Sequence, residues 1–316
     1  MISRRLLRIK ILHALYAYYK SDSNSITKSE KELLFSIEKT YELFHYLLML
    51  ILEIEHYAYM KIELRKEKKI PTYEDLHPNT KFIDNKLIKQ IKENKQFQKY
   101  INDKKLSWAN YPELIKILYN RLIDSDFYNS YMNDDSRSYS KDKAIVISIY
   151  EKIIPEEELL FQILEEQSIY WNDDVEFVIS VIIKTLYKFK PSDSEFKKLP
   201  ELYKNDEDRD FVKQLFRSCI KNHEYCIDLI EKHSKNWDIE RIAFMDILLI
   251  EMATTEILNI ETIPVKVSFN EYIDLAKFYS TDKSSIFVNG VLDKIIQTLR
   301  KENKIVKRGR GLIGEI

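Results

Sequence analysis

The chain has 316 residues, 32% of them charged and 45% hydrophobic, with a formal net charge of −1. That length favours two modules over one, the apolar fraction excludes wholesale disorder, and the charge balance excludes a global field that draws nucleic acid. Of the four glycines, Gly290, Gly309, Gly311 and Gly314, only Gly290 precedes the tail, which excludes a phosphate-cradling loop, a dinucleotide fingerprint and a nucleophile elbow.

Leu, Ile, Lys, Glu and Tyr dominate, Gly and Pro are rare, and no strand period persists, so the expected class is all-α. A first helix is predicted over 3–20. Its apolar residues, among them Leu6, Leu7, Ile11, Leu12 and Leu15, cover more than one stripe, as in a helix wedged between others. A long helix is predicted over 29–69, stopping before Pro71, followed by helices over 80–103 and 112–128. A polar joint at 129–142 leads to helices over 142–154, 156–170 and 173–189. The stretch 190–210, with Pro191, Pro200 and many acids, is the best domain boundary. Beyond it, helices are predicted over 208–221, 223–235, 239–259, 265–279 and 284–303. Asp238 is the expected N-cap of the third of these, and Pro264 marks the start of the fourth.

A weak internal repeat runs through this pattern. With a shift of 66 residues, Asp142, Val146, Ile154, Glu158, Glu165, Ser168 and Trp171 fall on Asp208, Val212, Ile220, Glu224, Glu231, Ser234 and Trp237. Two readings stay open: a duplicated helical unit relating 142–190 to 208–256, or chance similarity between amphipathic helices.

Charge is distributed unevenly. Residues 1–20 carry Arg4, Arg5, Arg8, Lys10 and Lys20 and no acid, and six basic residues between Arg300 and Arg310 face Glu302 alone. Such ends are either anion-binding patches or solvated termini. The 21 tyrosines fit a chain-wide compositional bias better than a binding surface. Cys219 and Cys226 lie two helical turns apart, about 10 Å, too far for a disulfide, and are expected as buried free thiols. The six histidines have no metal-ligand spacing, so neither metal nor cofactor is expected. Charged residues interrupt any signal-peptide core in the first helix, and the longest apolar run, 43–52, falls short of the roughly 20 residues of a membrane span. The expectation is a cytoplasmic protein without membrane association. Asp246, within an apolar helix, reads as a paired or capping carboxylate rather than a catalytic one, because no acid, histidine or nucleophile supports it.

On the last predicted helix Val288, Val291, Leu292, Ile295 and Leu299 follow the core period. Phe287 lies about 100° away, in line with Gly290, Lys294, Gln297 and Lys301. An aromatic beside a glycine on a basic face suits a stacked base and its phosphates. The competing reading packs Phe287 against a neighbouring helix, with Gly290 admitting another helix closely.

These blocks also carry a resemblance. Asn236-Trp237-Asp238-Ile239-Glu240-Arg241, Ile263-Pro264-Val265-Lys266-Val267 leading to Asn270-Glu271, Leu275-Ala276-Lys277, and Phe287 to Lys294 are similar in order and spacing to the bacterial antitermination factor family NusB. Arg4-Arg5-x-x-Arg8 leading to Ala14-Leu15-Tyr16 resembles that family's first helix. The resemblance covers about 1–27 and 200–303. It implies a helical bundle of two subdomains, with 28–190 as an inserted helical module and 304–316 as a basic flexible tail. It implies no enzymatic activity, and binding of boxA RNA from ribosomal RNA leaders together with the ribosomal protein NusE, within the RNA polymerase antitermination complex. Carried over by position, the RNA-binding candidates are Arg4, Arg5, Arg8, Tyr16 and Phe287, and the face argument adds Lys294. Two departures stand out. Leu6 and Leu7 thin the basic start, and Asp246-Ile247-Leu248-Leu249-Ile250-Glu251 stands where many members read Asp-Arg-x-x-Leu-Arg. Alternatives are a helical protein–protein scaffold that has lost RNA binding and an accessory domain of a ribosomal-RNA methyltransferase, although no glycine-containing cofactor loop is present.

Overall fold

The computed structural model describes residues 1–21, 25–234, 242–281 and 283–314. The motif at 236–241, with its expected N-cap Asp238 and Trp237, lies outside the described residues. In chain order the helices are α1 (Arg4–Lys20), α2 (Ile26–Lys66), α3 (Tyr73–Leu76), α4 (Lys86–Glu93), α5 (Lys95–Lys104), α6 (Pro112–Ile123) and α7 (Asp126–Asn133). They continue with α8 (Tyr139–Lys152), α9 (Glu158–Gln167), α10 (Val175–Tyr187), α11 (Asp206–His233), α12 (Phe244–Asn259), α13 (Val265–Tyr279) and α14 (Ser284–Lys301). The fold is all-α, and no strand occurs among the described residues.

Helix ends follow local chemistry. The Ser3 side chain accepts from the Leu6 amide at the start of α1, and Pro112 opens α6 where its missing N–H costs nothing. Asn205 caps α11, whose first turn holds Asp206, Glu207 and Asp208 against the positive end of the helix dipole. Thr72 and Asp75 form a capping box that stabilises the unexpected single turn of α3.

Several boundaries differ from the sequence-based expectation, and the expected polar joint 129–142 is partly covered by the end of α7 and the start of α8. The predicted helix over 80–103 divides at Asn94, which leaves the helical region and uses its side chain to cap Phe97 N at 2.9 Å. The predicted helix over 112–128 divides at Ser125, which caps α7 in the same manner. Conversely, 208–221 and 223–235 form one helix, α11. Its buried stripe of Phe211, Val212, Leu215, Phe216, Cys219, Cys226, Leu229 and Ile230 runs past Asn222 without a breaker. The two stretches of the weak repeat therefore take different forms: 208–233 is one helix, whereas α8 and α9 are separated by a 3₁₀ turn containing Pro155.

The helices form two compact units, one of residues 1–37 and 202–316 and the other of residues 38–201. In the first, α12 packs against α1, α11, α13 and α14, and Leu248, Leu249, Ile250, Met252, Ala253 and Ile257 are fully buried. The expected flexible tail is held by specific hydrogen bonds. Arg308 N donates to Glu261 O at 2.9 Å and Lys307 Nζ to Ile260 O at 2.9 Å. Gly311 lies so close to the Glu261 carbonyl that any Cβ would collide with it. In the second unit α8 packs against α4, α7 and α10. Tyr46 stacks on Trp108 with centroids 3.8 Å apart, and the fully buried Tyr150 donates to Leu47 O at 3.0 Å.

Candidate nucleic-acid interface

The basic start of the chain becomes the N-terminal half of α1, and each of its three arginines meets an acid. Arg4 Nε donates to Asp208 Oδ1 at 2.8 Å, with Glu207 3.5 Å away and Phe211 beneath the guanidinium. Arg5, about 39% exposed, lies 3.7 Å from Asp274 and over the ring of Phe278. Arg8 is interior. Its Nε and Nη2 clasp Glu256 at 2.8 and 2.7 Å, and Nη1 lies 3.5 Å from Glu271. Ser268 and Tyr272 donate to the same Glu256 carboxylate at 2.6 and 2.8 Å. Burial alone would lower the Arg8 pKa, but the hydrogen bonds and charge of Glu256 more than offset it and raise it. Tyr272 is pushed well above its ordinary value by burial, then by Glu256. Arg8, expected at a phosphate, is 2% exposed and acts as the cation of a buried pair.

Phe287, expected on the open basic face, is 6% exposed and shares the core with Val288. A large ring 100° from the centre of an apolar stripe still reaches the core when α14 is flanked by α11, α12 and α13. The face itself survives without it. Gly290 and Lys294 are exposed, and among the described residues a Cβ on Gly290 would meet nothing within 4 Å, so none of the described helices accounts for that glycine. Lys294 is joined by Lys232, also exposed, at the end of α11. Burial first, and then the charges of these two lysines, lower the pKa of His233, which lies 3.1 Å from Thr298 on α14.

Tyr16 is 41% exposed and leans edge-on against Phe244, the first residue of α12, with centroids 5.6 Å apart. Lys20 Nζ sits 4.3 Å above the same ring. The outer side of α1 thus presents an aromatic and cationic surface of Tyr16, Phe244 and Lys20, chemistry that accepts a stacked base or a phosphate. Phe244 and Lys232 escaped the sequence reading because neither is marked by local spacing; only the packing of α12 on α1 and of α14 on α11 reveals them.

The departure at Glu251 also acquires a structural role. This fully buried carboxylate accepts from Tyr19 Oη at 2.8 Å and faces His223 Nδ1 at 3.1 Å. The hydrogen bond to Glu251 raises the His223 pKa, and burial, followed by Glu251, raises that of Tyr19. Asp246 does not cap a backbone amide of α14: it accepts from the Ser284 hydroxyl at 2.8 Å, in the first turn of that helix. Cys219 and Cys226 are buried free thiols on one helix, the latter pushed up to about 12 by burial.

The family model described as "NusB family" matches residues 177–297, from within α10 almost to the end of α14. The transcription antitermination protein NusB of Salinibacter ruber is 46% identical over 139 residues, covering 42% of this chain and 87% of that protein. Its namesake in Finegoldia magna is 37% identical over 109 residues, covering 34% and 77%. That of Chloroherpeton thalassium is 42% identical over 105 residues, covering 33% and 50%. No solved structure matches. The chain belongs to the NusB family.

Proposed function

We propose that this protein is a non-enzymatic transcription antitermination factor that binds boxA-type RNA together with the ribosomal protein NusE, in the cytoplasm and as part of the RNA polymerase antitermination complex. The observation that carries this reading is the 46% identity to a named antitermination protein of which this chain covers 87%. Two surfaces support it. Tyr16, Phe244 and Lys20 offer a ring with a cation above it, and Lys294 with Lys232 offers positive charge beside the open backbone of Gly290. In this reading Arg4 and Arg5 exchange acid partners for phosphate, whereas Arg8 and Phe287 hold α1 and α14 in place from inside. No helix of the described residues is long and apolar enough to cross a membrane.

A second reading rests on the pairing of all three arginines with acids: a helical scaffold that retains the protein partner but not the RNA. A mobility shift with boxA RNA, with and without NusE, decides between them. The leading reading expects a shift that NusE strengthens and that Tyr16→Ala with Lys294→Gln weakens. Co-migration with NusE but no RNA shift would establish the scaffold instead.

A further inference from the structure

The unit formed by residues 38–201 has a charge distribution that the chain's overall balance conceals. Between 86 and 105, and between 187 and 198, the sequence places eleven lysines against four acids, in a protein whose net charge is −1. The structure joins these two stretches. Gln90 donates to Lys190 O and Asp193 O, each at 3.0 Å, and Asn94 donates to Lys197 O at 2.7 Å. Lys95 N donates to Glu195 O at 2.8 Å. The segment 190–199 therefore runs along the junction of α4 and α5, and the lysines of both stretches share one neighbourhood.

The helical period separates charge from core. On α4, Leu87, Ile88 and Ile91 are buried to within 2% exposure, while Lys86, Lys89 and Lys92 lie on the opposite, exposed side. On α5, Lys95 and Lys99 lie opposite the fully buried Phe97. Some of this charge is neutralised locally: Lys92 meets Glu55 at 3.3 Å and Lys197 meets Asp193 at 2.7 Å. Lys86, Lys95, Lys99, Lys190 and Lys198 make no ion pair among the described residues. Within the same segment Phe196 stands 72% exposed, and Tyr187, just before it, 59%.

We propose that α4, α5 and the segment 187–198 form a face that binds single-stranded RNA through its phosphates, with Phe196 stacking on a base. A cluster of unpaired lysines is the electrostatic footprint of a nucleic-acid surface, and an exposed ring beside it supplies sequence-tolerant stacking. An anionic membrane would also attract the lysines, but an amphipathic helix lying on a bilayer must bury its apolar face among the lipids. Here the apolar faces of α4 and α5 are spent on the protein core. The proposal concerns a surface distinct from α1 and α14 and stands whether or not the boxA reading holds.

The test uses the full chain, a 20-nucleotide single-stranded RNA lacking any boxA-like sequence, and fluorescence anisotropy across a salt series. The native protein should bind at low salt, with an affinity that falls as salt rises. The variant carrying Lys86→Gln, Lys95→Gln, Lys99→Gln, Lys190→Gln and Lys198→Gln should bind at least about tenfold more weakly, its log–log salt slope shallower by about 0.7 for each phosphate no longer neutralised. Replacing the same five positions with arginine should retain binding, and Phe196→Ala should weaken it about tenfold. Circular dichroism should be unchanged throughout, since every substituted residue is exposed. Failure of the native protein to bind this RNA would overturn the proposal, as would an unchanged slope in the glutamine variant. Stronger lysine-dependent binding to phosphatidylserine vesicles than to RNA would replace it with a membrane surface.

Discussion

Arg8 shows how a side chain's surroundings redirect the role its motif suggests. Its position in Arg4-Arg5-x-x-Arg8 suggests a phosphate ligand, yet its guanidinium is clasped by Glu256 and overlain by Phe211 and Tyr272. Removing one partner of a buried pair leaves the other charge uncompensated, typically at a cost of about 3–5 kcal/mol. Arg8→Ala should therefore lower the melting temperature strongly, because Glu256 is left with neutral donors only. Arg5→Ala, at an exposed pair, should shift it little. Equal shifts in the two variants, measured by thermal scans, would remove Arg8 from the interior. The sequence carried the arginines but not this distinction. Glu256 and Tyr272 lie 248 and 264 positions away, and nothing local marks them as partners.

At the scale of the element, α14 carries one residue that its own helix does not explain. A glycine inside a helix is less favourable than alanine by about 1 kcal/mol, and among the described residues nothing occupies the space where a Cβ of Gly290 would stand. Gly290→Ala should therefore raise thermal stability by roughly 0.4–1 kcal/mol. If RNA or a protein partner approaches the backbone there, binding should fall in the same variant. Stabilisation with undiminished binding of both RNA and NusE would leave the glycine without a functional reason. Helix existence was legible except for the single turn of α3, because the apolar period of the longer helices is strong. Boundaries were legible where Pro264 or Ser3 punctuates the chain, but not at Asn94, which ends one helix and caps the next, nor at Asp124 and Ser125, which do so in two consecutive residues. The face of α14 was legible for Lys294 and misread for Phe287, because the period gives an angle while exposure depends on how many neighbours surround the helix.

Across the whole molecule, the two units carry histidines with opposite responses to pH. His45, in the unit of residues 38–201, is fully buried, stacked 3.8 Å from Tyr100 and bonded through Nδ1 to Tyr41 O. Burial lowers its pKa from 6.5 to about 4. As pH falls below 6.5 the unfolded chain takes a proton that the folded unit refuses, so stability declines toward pH 4, by on the order of 3 kcal/mol. His223, in the other unit, has its pKa raised by Glu251. The stability it contributes is fully present below 6.5 and is lost as pH rises through its elevated folded-state value. Thermal unfolding followed from pH 4 to 8 should show the acid limb flattened by His45→Phe and the neutral limb flattened by His223→Gln. Exchange of those effects between the two variants would contradict the assignment.

The carboxylates of α12 lead to one more consequence. Asp246, Glu251 and Glu256 are spaced by five residues, and five steps of a helix turn it by about 140°, so the three acids point in three different directions, the first and last about 80° apart. Each meets different neighbours: Asp246 meets Ser284 of α14, Glu251 meets Tyr19 of α1 and His223 of α11, and Glu256 meets Arg8 of α1 with Ser268 and Tyr272 of α13. A central helix that is greasy all round buries similar area at many rotational settings, because dispersion and hydrophobic burial are non-directional. Hydrogen bonds to ionised groups are directional and costly to leave unmade. With acids facing outward on three sides, α12 behaves as a keyed axle: turning it by one residue would strand all three charges at once, so its angular setting, and with it the order of the helices around it, is fixed by polarity rather than by shape.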